Sequence, residues 1–493
     1  MKAPNLIILF IFSLLSCQKA DQTTLILAEI TGEIPAQIVY TKPVNGNPDW
    51  MFTEKIKPDT LGRFNLEFDL NGPAFVKFLT NNDKPATIIA EPGKTYNVLF
   101  DLKKDEGIFK VSGESNTLHT FYNQLPDPLY IQDVASKFLI DSTTSNIETS
   151  LLQKKKEELV SIENLYNEGN ITKDVFDLLM LDRKCYYDAI LSTTMWIKYI
   201  YSKRGSRFPF NKEFADLWQD IYKTGLIENP ELIKSVWFSD YAQGYIYYHQ
   251  YLEGTLGEQS ESETPYTDYI RTAEKHLPEK VLEAYIAHYL YDKIIYKNYE
   301  KELIGIFNDF SSEYPESSYL SFMTPYIDEI VEYHKITASE FKDDIKFVDS
   351  YQQISTLSEA ASRLMEGLIY VDVWATWCGP CKVEFEHKSA LQEVLNEYNV
   401  QLLYLSIDRD DYAERWKNMI KFYDLEGFHI RAGEELSNDL KKIFDKNGSI
   451  SIPWYILMDS NGNILKKHAS KPSQSKKLAE EIRNLDMNSG TSL

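Results

Sequence analysis

Four cysteines are spread over 493 residues, and two of them stand three positions apart in Cys378-Gly379-Pro380-Cys381. A pair at this spacing can carry thiol–disulfide exchange or supply half of a zinc site. Zinc needs four ligands. The chain has no second C-x-x-C and no His pair at ligand spacing, Cys185 is far away, and His387 alone cannot complete the set. No metal is therefore expected. The flanks state how the thiols must be held. Leu368-Ile369-Tyr370-Val371 is an apolar, β-branched run that reads as a strand buried on both faces. Beyond the pair, Phe385, Leu391, Val394, Leu395 and Tyr398 recur at mostly helical spacing, with no Pro or Gly until well past Cys381. Cys378 thus belongs where a strand hands over to the first turn of a helix. Unpaired N–H groups and the positive end of the helix dipole stabilise a thiolate there and lower the pKa of the first cysteine.

With its flanks the motif says more. Trp374-Ala375-Thr376-Trp377-Cys378-Gly379-Pro380-Cys381-Lys382, behind a strand carrying Asp372, resembles the thioredoxin active site, and the resemblance runs from about Phe347 to Leu485. It implies an α/β thioredoxin-like fold with no cofactor beyond a redox-active disulfide. By the same resemblance Cys378 is the attacking nucleophile and Cys381 the resolving thiol. Asp372 matches the buried carboxylate that exchanges protons with the second cysteine; the plain alternative is a solvated Asp at a strand end. Trp377 matches the ring beside the first sulfur, whereas Trp374 reads as a core aromatic. Downstream, Ser451-Ile452-Pro453-Trp454-Tyr455-Ile456-Leu457-Met458-Asp459 is an apolar strand opened by Pro. The family has a cis-proline facing its C-x-x-C, and Ile452-Pro453 matches it; the alternative is a trans Pro at a strand start. A cis bond there leaves the preceding backbone free to pair with an extended substrate segment. Peroxiredoxins share the fold, but their P-x-x-x-[TS]-x-x-C pattern would need Pro at 371 and Thr or Ser at 375, where this chain has Val371 and Ala375. Cys381 and Pro453 are 72 positions apart, longer than in a minimal thioredoxin, and the extra αβ material resembles the TlpA/ResA-like branch of tethered extracytoplasmic reductases. The central insert of that branch often carries an acidic residue near the site; the sequence does not locate one here.

The N-terminus reads as an address. Met1-Lys2 precedes an apolar run over residues 6–15, too short for the roughly 20 residues of a membrane span. A basic start, a short apolar core and a small residue before Cys read as a signal peptide. Leu14-Leu15-Ser16-Cys17 resembles a bacterial lipobox, which implies that Cys17 carries lipid and that the protein is a periplasm-facing lipoprotein of the cell envelope. An ordinary secretory signal is the alternative. Cys185, in a helical context, reads as a small buried residue. The net charge of −22 argues against nucleic acid or an anionic membrane surface as a partner.

These readings make the chain multi-domain. After the signal peptide (1–17), residues 23–117 read as an all-β, sandwich-like domain: Arg63-Phe64-Asn65-Leu66-Glu67-Phe68-Asp69-Leu70 alternates strictly, and further strands are expected at 75–79, 87–90, 96–100 and 108–111. Gly62-Arg63-Phe64, Glu91-Pro92-Gly93 and Val111-Ser112-Gly113-Glu114-Ser115-Asn116 resemble a β domain fused to thioredoxin-like lipoproteins of Bacteroidetes type. Residues 118–345 read as an α-helical middle region with tyrosine stripes that pack helices, and 346–493 as the thioredoxin-like domain, where Ser473 is expected to cap the last helix. The expected function is a membrane-tethered extracytoplasmic thiol–disulfide oxidoreductase, working as a reductase on protein disulfides and supplied with electrons by a DsbD-like membrane transporter. The alternative is a periplasmic binding or scaffold lipoprotein whose helical region captures a partner, with the redox site secondary.

Overall fold

The computed structural model describes residues 23–79, 86–102, 108–112, 116–258, 262–297, 299–444 and 449–489. The expected signal peptide and lipobox, Cys17 and the Gly113-Glu114-Ser115 stretch lie outside these residues. Packing divides the chain into two units, Met1–Asp292 with Asp309–Phe322, and Lys293–Asn308 with Met323–Leu493. Packing keeps the β region and most of the helical region in one unit.

In the first unit the alternation of Arg63–Asp69 has its expected consequence, with Phe64, Leu66 and Phe68 buried and their neighbours exposed. The described strands are β1 (Thr23–Thr31), β2 (Ile38–Thr41), β3 (Thr53–Ile56), β4 (Arg63–Asp69), β5 (Ala74–Leu79), β6 (Ala86–Ala90), β7 (Thr95–Asp101) and β8 (Ile108–Ser112). They form two four-stranded sheets, β4-β1-β7-β8 and β3-β2-β5-β6. Ile26, Leu66 and Phe100 from the first sheet share one core with Tyr40, Val76 and Phe78 from the second, which makes a sandwich. Full burial of each such side chain is worth about 1.5–3 kcal/mol. β6 is buried at every position because its other face is covered too. Phe75 and Ile89 pack against Leu118, Tyr122, Ile162 and Val175 of the helices that follow. The longest of these, Lys173–Lys203, starts at Thr172, whose hydroxyl accepts from the Val175 N–H, and it buries Cys185 completely. The tyrosine stripes do pack helices: Tyr251 stacks on Trp218, and Tyr222 lies against Tyr241 and Tyr248.

The second unit is built on one six-stranded sheet of β9 (Ile345–Phe347), β10 (Leu368–Trp374), β11 (Gln401–Ser406), β12 (Gly427–Arg431), β13 (Trp454–Asp459) and β14 (Ile464–Lys466), in the order β14-β13-β10-β11-β12-β9. β10 is central, parallel to β11 and antiparallel to β13, and buried at all seven positions. One face packs Val371, Val373 and Leu403 against Leu357, Ala360 and Leu436. The other carries Asp372 and Trp374. The chain after β10 does not continue as a single helix. It forms Gly379–Phe385 and Lys388–Glu397, parted where the N–H groups of Glu386 and His387 turn back to Val383 and Glu384 in tight three-residue bonds. Ser473 is not the cap of the last helix, Ser475–Ser489. It sits in a short turn before that helix and spends its N–H and hydroxyl on Glu384.

Candidate active site

Cys378 is the N-cap residue of the helix Gly379–Phe385, with Pro380 in the first turn. Pro suits that place because its missing N–H would have no partner there. The Cys378 N–H donates to the carbonyl of Ala375 (3.0 Å), and the Cys381 N–H donates to Cys378 Sγ (3.1 Å). The sulfur therefore takes up one of the helix's otherwise unpaired donors, the contact that favours a thiolate when the pair is reduced. Cys378 and Cys381 are joined by a disulfide with their Cα atoms 5.3 Å apart, and both are almost fully buried. Trp377 is 57% exposed beside them in the chain, while Trp374 is wholly buried.

Asp372 lies on β10, opposite Tyr404 of β11 and Tyr455 of β13. Residues two apart on a strand share a face, so Asp372 is on the side of Tyr370 and Trp374. On that side Phe385 of the redox helix packs on Trp374 (5.3 Å between ring centres) and on Tyr404 (6.1 Å). Asp372 is thus placed on the sheet face that the redox helix covers. It is 1% exposed, and among the described residues neither carboxylate oxygen has a hydrogen-bond partner. Burial, with the Glu384 charge adding to it, pushes its pKa well above the carboxylate range. Desolvation, with the Asp372 charge second, likewise raises the phenols of Tyr370 and Tyr404.

The Ile452-Pro453 peptide is cis. It stands just before Trp454, which pairs with Val373, so it lies at the end of the sheet from which the C-x-x-C segment emerges. Ile452 packs on the core on the Val371 side.

Three polar residues of this site were given no role from the sequence, Lys382 standing there only as the end of the motif. Asp408, just after β11, is buried and takes the N–H and hydroxyl of Thr376 (2.9 Å each) and the hydroxyl of Ser406 (2.8 Å), so it grips the loop two residues before Cys378. Glu384 is held by Lys471 Nζ (2.7 Å) and by Ser473. Burial works to raise its pKa, but the bonds from Lys471 and Ser473 outweigh it and hold the carboxyl low. Lys382, directly after Cys381, is almost fully buried. A Ser-x-Asp at the end of a buried strand, and an acid three residues after Cys381, were the available signals. Among the described residues no cluster of side chains could hold a metal ion, and no helix is long and apolar enough to cross a membrane.

The redox segment has relatives among known proteins. A sequence model of the Redoxin family matches residues 339–482. Thiol-disulfide oxidoreductase ResA of Bacillus thuringiensis subsp. konkukian is 28% identical over 113 residues, which is 23% of this chain and 60% of that protein. The chain thus spans about 60% of that relative's length. Thioredoxin of Staphylococcus epidermidis is 31% identical over 100 residues, covering 19% of this chain and 93% of the relative. Among solved structures, a thiol:disulfide interchange protein from Bacteroides sp. is 20% identical with a TM-score of 0.20, over 24% of this chain and 74% of that one.

Proposed function

Because the chain belongs to the thioredoxin family, with ResA-type oxidoreductases among its relatives, we propose that it reduces protein disulfides through Cys378 and Cys381 at the cell envelope. The observation that carries this reading is Cys378 at a helix N-cap with Sγ accepting from the Cys381 N–H, together with a buried Asp372 that has no hydrogen-bond partner among the described residues. In the reduced protein the Cys378 thiolate attacks one sulfur of the substrate disulfide. One substrate thiolate leaves, and a mixed disulfide forms. Cys381 then gives its proton to Asp372 and attacks Cys378 Sγ, so the mixed bond breaks, the second substrate thiolate leaves and the Cys378–Cys381 disulfide closes. The substrate gains two electrons and the protein loses two. Asp372 suits the proton step because burial makes its carboxylate a stronger base than an exposed one. Trp377 and the backbone at Ile452-Pro453 are proposed to receive the substrate segment, the latter as an added strand.

The tether belongs to the same proposal. Lipid on Cys17 would hold the protein to a membrane of the cell envelope, facing the periplasm. An oxidising compartment then demands a source of electrons across the inner membrane, which a DsbD-like transporter would supply. The test is reduction of insulin by the full chain with dithiothreitol as the electron source. Turnover above the dithiothreitol background, lost in Cys378→Ser, supports the reading; turnover equal to background refutes it.

A further inference from the structure

Lys382 carries a charge that surface chemistry does not explain. A lysine one residue after the second cysteine of a short helix would ordinarily reach into water, yet this one is 4% exposed. Its Nζ donates to the carbonyl oxygens of Tyr296 (3.3 Å) and Lys297 (2.9 Å). Those two carbonyls belong to Lys293–Asn308, a segment that lies outside the Redoxin match but packs in the same unit as the redox helix. Lys297, whose φ of 52° is left-handed, stands between the two carbonyls that meet at the one ammonium and the anchoring Tyr299.

The segment is fastened a second time. Tyr299 is buried, its hydroxyl bonds Glu329 (2.8 Å) and Tyr423 (2.6 Å), and its ring stacks on Tyr333 (4.4 Å). Tyr423 in turn packs on Phe385 of the redox helix (5.2 Å). Buried Lys382 is pulled both ways by charge. Desolvation first, then Arg415 and Lys297, bring its pKa down to about 8, against the opposing attraction of Asp408 and Glu329. The ammonium therefore rests on its two carbonyls, and they exist only because the segment is there.

We propose that Lys382 is a positioning residue for the Cys378–Cys381 pair, fixed by the segment Lys293–Asn308, so that the thiolate character of Cys378 depends on chain outside the thioredoxin-like region. Lys382 is one turn after Cys378, so its held charge adds to the helix N-terminus in favouring the Cys378 thiolate. The alkylation readout below does not need the oxidoreductase reading, because it follows the thiol itself.

The test uses the reduced full chain and follows the rate of Cys378 alkylation by iodoacetamide against pH, in wild type, Lys382→Met, Lys382→Arg and Tyr299→Leu. The expected result for Lys382→Met is about a tenfold loss of thiolate below its midpoint, equivalent to a midpoint raised by about one pH unit. Lys382→Arg keeps the charge and stays near wild type, and Tyr299→Leu, which keeps the lysine but loosens the segment and removes the ring 6.0 Å from its ammonium, shifts the midpoint the same way by less. A purely structural lysine would lower stability and leave the midpoint alone, so an unshifted Lys382→Met overturns the proposal. If Lys382→Met does not fold, Tyr299→Leu decides: a raised midpoint supports the proposal and an unchanged one overturns it. Equilibration of each protein with glutathione is read alongside. A wild-type pair that never exchanges with glutathione would sink the oxidoreductase reading while the alkylation midpoints still judge Lys382.

Discussion

Replacing Asp372 by Asn in the oxidised protein should change how stability depends on pH. The carboxyl is buried with no partner among the described residues, and burial, helped by Glu384, lifts its pKa well above the ordinary range. The unfolded chain releases that proton near about 3.9, while the folded chain keeps it. Stability contributed by the protonated carboxyl is therefore fully present below the unfolded value. It is lost as pH rises towards the folded one, at about 1.4 kcal/mol per pH unit. The Asp372→Asn protein has no such slope. Its amide instead carries a pH-independent cost of about 1–3 kcal/mol for buried donors without acceptors. The difference at a single pH thus has no fixed sign, and the slope is the diagnostic. The disulfide removes the thiols from the titration. His429, brought down to about 4 by burial, is present in both proteins and cancels. Glu384, held low, gives stability that is lost only as pH falls through its folded pKa, on the acid side of the window. Urea unfolding at about pH 5, 6 and 7 should show wild type losing stability relative to the variant as pH rises, by up to about 1.4 kcal/mol per unit while the folded carboxyl stays protonated. Parallel lines would mean that the pKa of Asp372 is not raised in the folded protein, and the basicity on which its proton step rests would fall with it.

Two further outcomes follow from the same contacts. Asp408→Ala leaves the buried Thr376 N–H without its acceptor, at a cost of about 1–3 kcal/mol; calorimetry should show the redox unit melting lower by about 2–4 °C for each kcal/mol lost, and an unchanged melt would mean that Asp408 does not hold the loop. Cys17→Ala should leave the exported protein without lipid, read by mass spectrometry of the mature N-terminus; a wild-type N-terminus other than Cys17 would remove the basis for the anchor.

What the sequence made legible was what local pattern controls. The alternation in Arg63–Asp69 shows its buried face directly, and an apolar strand running into Cys-Gly-Pro-Cys places Cys378 at a helix start. The short strands β2 and β3 were missed because four residues of mixed burial carry too little periodicity. The single helix expected after Cys381 breaks at Glu386-His387 without a Pro or Gly to announce it. Residues whose roles depend on distant partners were also silent. Asp408 matters through Thr376, 32 positions away, Glu384 through Ser473, 89 positions away, and Lys382 through carbonyls 85 and 86 positions away. A lysine and two acids in a polar context look like surface until the fold brings those partners to them.

The central claim is that Cys378 attacks and Cys381 releases. It is tested most directly by mixing reduced Cys381→Ser with a protein disulfide such as insulin and reading the products on a non-reducing gel. Without the resolving thiol, a mixed disulfide through Cys378 should accumulate and dissolve on adding dithiothreitol, wild type should show only the released substrate thiols, and Cys378→Ser should form no adduct. Absence of any adduct with Cys381→Ser, or an equal adduct with Cys378→Ser, would contradict the account.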